Sequence, residues 1–428
     1  MFKNYINYKN IFINFPGILI SLLPALLISG PFLSDLAISI VTILFLINTF
    51  KNKLFQYYKN LFFLIFISFY VYLVFNSLIN NFNLDSFKIS IFYFRYGIFS
   101  LAFWYILNQN KNILKYLFYC FACCFIFLII DGYYQYFTSS NLFGLKIDSG
   151  SNRPSSLFGN ELILGSYLSR LYGIFFGLAI YLYNFINNKS KFYFLGIIFV
   201  LLETLIFLSG ERASFFYLNL SSIFIIILIK DYKLYRSVIM VFSFILISLI
   251  TIVNDNAKSR IIDKTIAQMN LDSNQSIKAF SQQHEDHYLS ALRMFKDNKL
   301  LGVGVKNYRN YCDLDKYKTS EISCTTHPHN TYIQILTEIG IIGFLFILSV
   351  LILFLYKVIK HLFMNFKKKY YFNELEICLL SAISITLWPV IPTGNFFNNW
   401  LSIIYYLPIG ILLFSFNKRN KRNKKINF

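Results

Sequence analysis

Long apolar runs follow one another along almost the whole chain, each close to the length at which a helix crosses the hydrocarbon of a bilayer. A crossing needs roughly 20 apolar residues. On that criterion twelve segments qualify, covering about 11–29, 33–50, 60–80, 87–107, 112–132, 161–184, 192–209, 214–229, 237–253, 331–356, 374–392 and 399–416. A mean hydropathy of +0.54 with 14% charged residues excludes a soluble protein of 428 residues. The expected fold is all-α, a polytopic membrane protein of about 12 transmembrane helices with one large outer loop containing short helices.

A formal charge of +20 suggests a polyanionic partner only if it is spread evenly, and it is not. Of 40 Lys and Arg, 23 fall in the two ends and in alternate loops, at Lys51/Lys53/Lys59, Lys111/Lys115, Lys189/Lys191, Lys230/Lys233/Arg236, Lys357 to Lys369 and Lys418 to Lys425. Only Asp231, Glu374 and Glu376 accompany them, and the rest of the chain is neutral. The intervening loops hold Asp35, Asp85 and Asp148 with few cations. This is the positive-inside bias of a protein inserted with both termini in the cytoplasm, and it implies no nucleic acid. The first apolar run lacks a small-residue cleavage site and is followed at once by another, so it reads as an anchor.

Residues 1–253 are expected to carry nine spans, with an outer loop at about 133–160 rich in turn residues. Residues 254–330 form the large outer loop, 331–416 the last three spans, and 417–428 a basic cytoplasmic tail. In the large loop, Ile261, Ile262, Thr265, Ile266 and Met269 recur at helical spacing, predicting an amphipathic helix over 257–270 on the membrane surface. A second helix is expected over about 275–298, before a tight turn at Gly302-Val-Gly304. Cys312 and Cys324 share this loop and either pair in an oxidising compartment or remain free thiols. Cys120, Cys123, Cys124 and Cys378 lie in apolar helices and read as packing residues.

The sharpest local feature is His327-Pro-His329-Asn330 at the outer mouth of the tenth span. Asn330 or Thr331 can cap the helix, leaving His329 at its positive end, where imidazolium is disfavoured and the neutral ring can accept a proton. His329 is then either a general base or an interfacial histidine that only helps the cap. Two histidines two residues apart need a third ligand to hold a metal, and nothing nearby has metal-site spacing. His284 and His287 read first as a solvated face of the loop helix.

Arginines give the second signal. Arg212, in the short break Ser209-Gly-Glu-Arg212, must lie at the membrane boundary, where a cation lines a polar pathway or binds an anion. Arg153 and Arg293 are on the same side, as is Arg170 if its span tilts, and converging arginines bind a diphosphate bidentately. The alternative is local pairing, of Arg212 with Glu211 or Glu203 and of Arg293 with Asp297. Arg95, inside the fourth span, reads as a partner for an intramembrane polar group. No nucleotide motif is present, since Gly302-Val-Gly304 lacks the strand-turn-helix context of a dinucleotide site.

His329-Asn330, nine residues from Thr331 to Ile339, and Gly340-Ile-Ile-Gly343 together resemble the signature of bacterial O-antigen ligases. Leu292-Arg-Met-Phe-Lys-Asp-Asn-Lys-Leu-Leu-Gly-Val-Gly304 is similar to the segment preceding the histidine in the O-antigen ligase and polymerase superfamily. Arg153-Pro-Ser-Ser-Leu-Phe-Gly-Asn160 and Ser209-Gly-Glu-Arg212 resemble its two upstream arginine motifs. Where many relatives have an arginine four residues before an aromatic in the loop helix, this chain has His284 before Tyr288.

The resemblance implies an enzyme of the bacterial inner membrane with its site in the periplasmic loop. It implies inverting transfer, without metal, nucleotide or other cofactor, of a glycan from an undecaprenyl-diphosphate carrier to a hydroxyl of lipid A-core or a related glycolipid. His329 would take the acceptor proton, Arg212, Arg153 and Arg293 would hold the diphosphate, and His327, Asn330 and His284 would support them. Gly340 and Gly343 would let helices pack closely beneath the site. An O-antigen polymerase and a protein O-oligosaccharyltransferase of the same superfamily are the nearest alternatives. A lipid-glycan flippase is the alternative of another class.

Overall fold

A computed structural model describes residues 2–80, 83–147, 153–183, 189–253, 258–259, 263–269, 280–369 and 371–426. Among them, regular structure is helical apart from one bridge pairing Ser140 with Lys146. Before the large loop come α1 (Phe2–Ser21), α2 (Leu23–Ile28), α3 (Pro31–Asn52), α4 (Leu61–Ile79), α5 (Leu84–Phe92) and α6 (Phe94–Gln109). They are followed by α7 (Asn112–Thr138), α8 (Leu164–Tyr183), α9 (Lys189–Leu208), α10 (Arg212–Leu228) and α11 (Lys233–Val253). The loop contains α12 (Lys264–Gln268), α13 (Gln282–Asp297) and α14 (Tyr308–Tyr311), and α15 (Thr331–Phe366), α16 (Glu374–Leu387) and α17 (Asn399–Ile426) complete the chain.

Among the described residues, eight helical segments are long and apolar enough to cross a membrane: α3, α4, α5 with α6, α7, α9, α11, α15 and α17. The other expected spans are helical but differ from a simple crossing. The first is split after Ser21, with Pro24 near the start of α2. α10 has 17 residues and α16 has 14. α8, with 20 residues, is buried from Leu164 to Ile180, with only Ser166 partly exposed. It packs against α7, α9, α10 and α16, while α6 packs against α17 and α3. Phe50, Leu64, Phe137, Leu234 and Val253 are 62–86% exposed, which fits side chains turned toward hydrocarbon rather than water.

Two ion pairs link helices inside the bundle. Arg95 donates from Nε and Nη2 to the two oxygens of Asp35, at 2.9 and 3.1 Å. Asp35 therefore lies in α3 and not in the outer loop that the sequence suggested. Arg236, expected among the cytoplasmic cations, is fully buried and sits 2.9 Å from Glu203, whose carboxylate also accepts the Tyr172 hydroxyl at 2.8 Å. Burying either charge alone would be strongly unfavourable, and pairing removes most of that cost.

The loop between α13 and α15 joins the bundle through a break in α15. Ile339 and Gly340 leave helical geometry, Gly340 at φ 68° and ψ −172°. In an unbroken helix Ile341 N would bond to Thr337 O. Here Ile341 N donates to Lys299 O at 2.9 Å, while Thr337 O accepts Val303 N at 2.9 Å and Glu338 O accepts Gly304 N at 2.8 Å. From α4, the Asn76 amide reaches Leu301 O at 2.7 Å and the Asn80 amide reaches Gly302 O at 2.6 Å. Two sequence expectations change. Gly302-Val-Gly304 is more than a tight turn, because the amides of Val303 and Gly304 pair with the interrupted helix. Gly340 is not a helical packing notch but the point where the helix opens.

The loop module has its own small core, including Ala291, Met294, Val303, Tyr308 and Cys312. Cys312 and Cys324 are joined, with Cα atoms 4.9 Å apart. α13 begins after Ser281 and covers most of the predicted 275–298 helix. Of the amphipathic helix expected over 257–270, α12 is the described α-helical part, and Ile261 and Ile262 lie outside the described residues.

A Cβ at Gly340 would lie 2.1 Å from the Leu300 carbonyl oxygen, whereas one at Gly343 would meet the mobile end of the Ile339 side chain. Gly340→Ala should cost ~2 kcal/mol or more and lower the thermal unfolding midpoint in detergent, with a smaller loss for Gly343→Ala; equal midpoints would refute the broken-helix account. Thiol titration of the denatured, unreduced protein should count four of the six cysteines, because two are joined. Six reactive thiols would contradict the pairing.

Candidate active site

Four histidines meet where the loop module faces the bundle. His329 follows Pro328 at the mouth of α15, and its ring centroid lies 4.1 Å from His327, 5.2 Å from His287 and 5.5 Å from His284. Asn330 fixes the approach: its carboxamide oxygen accepts Tyr332 N at 3.0 Å and Ile333 N at 3.1 Å, while its NH₂ donates to Pro389 O at 2.8 Å. This is the expected helix cap. His329 has φ 55°, a left-handed conformation uncommon outside glycine. Its carbonyl accepts Thr393 N at 2.8 Å, so the connection between α16 and α17 holds it there. His327 Nε2 donates to Thr393 O at 3.2 Å, which leaves Nδ1 to accept the Thr326 hydroxyl at 2.9 Å.

The environment keeps these rings neutral. Burial, then the neighbouring rings of His327, His284 and His287, lower His329 to about 3. Burial is also the main cause at His284 and His327, each lowered to about 4. His284 and His287 do not form the solvated face that the sequence suggested. His287 is fully buried, with Nε2 donating to Ile322 O at 3.0 Å, and His284 is partly buried against Tyr288. Among the described residues no three His, Cys, Asp or Glu converge as metal ligands would.

His284, His327 and His329 line a cavity of about 1360 Å³ together with Arg153, Arg170 and Arg212. The arginines are held differently. Arg153 donates to Ser209 O at 2.8 Å and lies 3.6 Å from Glu211. Glu211 accepts Gly165 N at 2.7 Å and Ser166 N at 2.8 Å, tying the break between α9 and α10 to the start of α8. Arg170, one turn further along α8, donates to Ser166 Oγ at 3.2 Å and Thr393 Oγ1 at 3.0 Å, and its guanidinium lies 4.7 Å from the centre of the Tyr217 ring. Arg212 is exposed and donates to Thr265 Oγ1 at 3.2 Å. Among the described residues no carboxylate pairs with it, so the local pairing with Glu211 or Glu203 does not occur.

The remaining expected site residues lie elsewhere. Arg293 is outside this cavity and donates to Lys318 O at 2.8 Å rather than pairing with Asp297. Asn330, Gly340 and Gly343 shape the helix behind His329 and do not line the cavity. Lys306 and Arg309 line it without having been singled out from sequence. No local sequence signal marks them, because the turn that brings them to the cavity pairs its backbone with a helix break more than 30 residues away. The arrangement offers an anion-binding wall beside an imidazole able to accept a proton.

A search of the curated proteins finds no match. The family model described as O-antigen ligase matches residues 196–348, from α9 through the large loop into α15. The matched stretch holds Arg212, His284, Arg293, His327 and His329, whereas Arg153 and Arg170 lie before it. That match lies over the segment that builds the histidine side of the cavity, and it makes this stretch similar to the O-antigen ligase family.

Proposed function

We propose that this chain is an O-antigen ligase-type glycosyltransferase. It moves a glycan from an undecaprenyl-diphosphate carrier to a hydroxyl of lipid A-core at the periplasmic face of a bacterial inner membrane, with both termini cytoplasmic. The observation that carries this reading is a neutral His329 in the same cavity as Arg153, Arg170 and Arg212. The family match supports the reaction class, and the concentration of Lys and Arg in the two ends and in alternate loops supports the orientation.

In this reading the acceptor oxygen attacks the anomeric carbon from the face opposite the diphosphate, giving inversion. The new carbon–oxygen bond forms as the bond to the phosphate oxygen breaks, the acceptor proton passes to His329, and the electron pair leaves on the lipid diphosphate. Arg212, least compensated of the three arginines, and Arg170 offset that charge, while Arg153 fixes the wall through Ser209 and Glu211. No metal or nucleotide is required, because the driving force resides in the donor's glycosyl–phosphate bond. Arg293, outside the cavity, is not assigned to the diphosphate.

Purified wild type should glycosylate lipid A-core from a lipid-diphosphate glycan in EDTA. His329→Ala should lower kcat by roughly 10²–10⁴-fold. Arg212→Lys, which keeps charge but loses the fork, should mainly raise donor KM. Lengthening of a second lipid-linked glycan instead of transfer to lipid A-core would replace ligase by polymerase, and full activity of a folded His329→Ala protein would remove the general base.

The pH profile gives a further check. His329 in the free protein is lowered to about 3, so it is the free base at pH 5 and above, and protonation costs activity only as pH falls toward that value. Bound diphosphate adds negative charge and must raise it. The acid limb of kcat, which reports the donor complex, should therefore lie at higher pH than that of kcat/KM. A kcat/KM limb centred near the ordinary histidine value would contradict the buried neutral site.

A further inference from the structure

The cavity carries more positive charge than a diphosphate uses. Among the described residues its lining cations are Arg153, Arg170, Arg212, Lys306 and Arg309, and its carboxylates are Glu161 and Glu211. Both carboxylates belong to the Arg153 side: Glu211 is 3.6 Å from that guanidinium, and Glu161 adjoins Leu162, whose carbonyl Arg153 approaches at 3.3 Å. A diphosphate diester brings two negative charges, which Arg212 and Arg170 match. Lys306 and Arg309 are then left over.

Arg309 lies in α14 and Lys306 just before it, whereas Arg212 opens α10. Arg212 is the arginine that acts on His284, whereas Arg309 is the one that acts on His327. Lys306 is half-buried and shaped by the docked loop: it has φ 57°, and its amide donates to Glu338 Oε2 at 3.0 Å. That oxygen also accepts the Gln334 amide at 2.9 Å. Among the described residues neither the Lys306 ammonium nor the Arg309 guanidinium makes a hydrogen bond or ion pair. Burial, then Arg309, weakens the hold of Lys306 on its proton, and the Glu338 carboxylate offsets this only in part. Two like charges left side by side are unfavourable, and an anion set between them relieves the repulsion.

We propose that Lys306 and Arg309 form the anion subsite for the acceptor, so that the preferred acceptor carries a phosphate or a sugar carboxylate within reach of the attacked hydroxyl. The inference rests on the glycosyltransferase reading and adds a specificity rule to it. The donor diphosphate occupies the Arg212 side of His329, the acceptor anion the Arg309 side, and the attacked hydroxyl lies between them.

The test uses the full chain in lipid nanodiscs with three lipid A-core preparations: untreated, phosphatase-treated, and with carboxyls methyl-esterified. Acceptor binding is measured without donor, and transfer is measured with donor. Lys306→Gln and Arg309→Gln should weaken binding of untreated acceptor about tenfold and reduce the preference for it over one treated form by a similar factor. Arg309→Lys should recover most of that preference, which separates charge recognition from misfolding. The treatment that abolishes wild-type preference tells phosphate from carboxylate. Transfer by wild type with no preference among the acceptors would overturn the subsite and leave the enzyme reading standing. Charge-dependent acceptor binding without transfer would support the subsite and overturn the enzyme reading. Neither binding nor transfer would overturn both.

Discussion

The interruption of α15 at Gly340 is the constraint on which the loop-bearing half of the molecule depends. An apolar helix in hydrocarbon normally satisfies its own backbone, and opening one costs the bonds it gives up. Here the cost is offset because Val303, Gly304 and Lys299 pair with the exposed groups, and α4 adds two asparagine amides to the same loop. The loop module is thus joined to the bundle by main-chain hydrogen bonds rather than by apolar contact alone. Its position over α15 then determines where Lys306, α13 and the histidines lie.

Thr393 is a second point of convergence. Its amide holds the His329 carbonyl, its carbonyl receives His327 Nε2, and its hydroxyl receives Arg170. One residue between α16 and α17 therefore touches the candidate base, the neighbouring ring that lowers its proton affinity, and an arginine of the anion wall. The left-handed backbone at His329 is strain of the kind that persists only where surroundings over-determine it, and Asn330 with Thr393 supplies that determination.

Much of this was legible in the sequence, for identifiable reasons. The apolar runs announced helices, because hydrocarbon leaves no other choice for segments of that length. Asn330 announced a cap, and His329 at the mouth of a span announced a ring with weak affinity for protons. Arg153, Arg212, His284, His327 and His329 were named from local motifs and share one cavity. The opening of α15 was not legible, since Gly340-Ile-Ile-Gly343 inside an apolar run reads as a notch in a continuous helix, and only the distant 299–304 segment makes the break affordable. Lys306 and Arg309 were missed for the same reason. Arg236 was counted among the cytoplasmic cations because its partner Glu203 is 33 positions away in another helix.

The place of Thr393 in the chain has a consequence for biosynthesis. The two arginine motifs and the histidines are made first, but the residue that fixes His329, His327 and Arg170 lies between α16 and α17. A nascent chain still lacking the α16–α17 connection holds every named charge of the site and none of its final geometry. The cavity therefore takes its final shape only when α16 and α17 are in place, which ties the geometry of the site to the docking of those two helices.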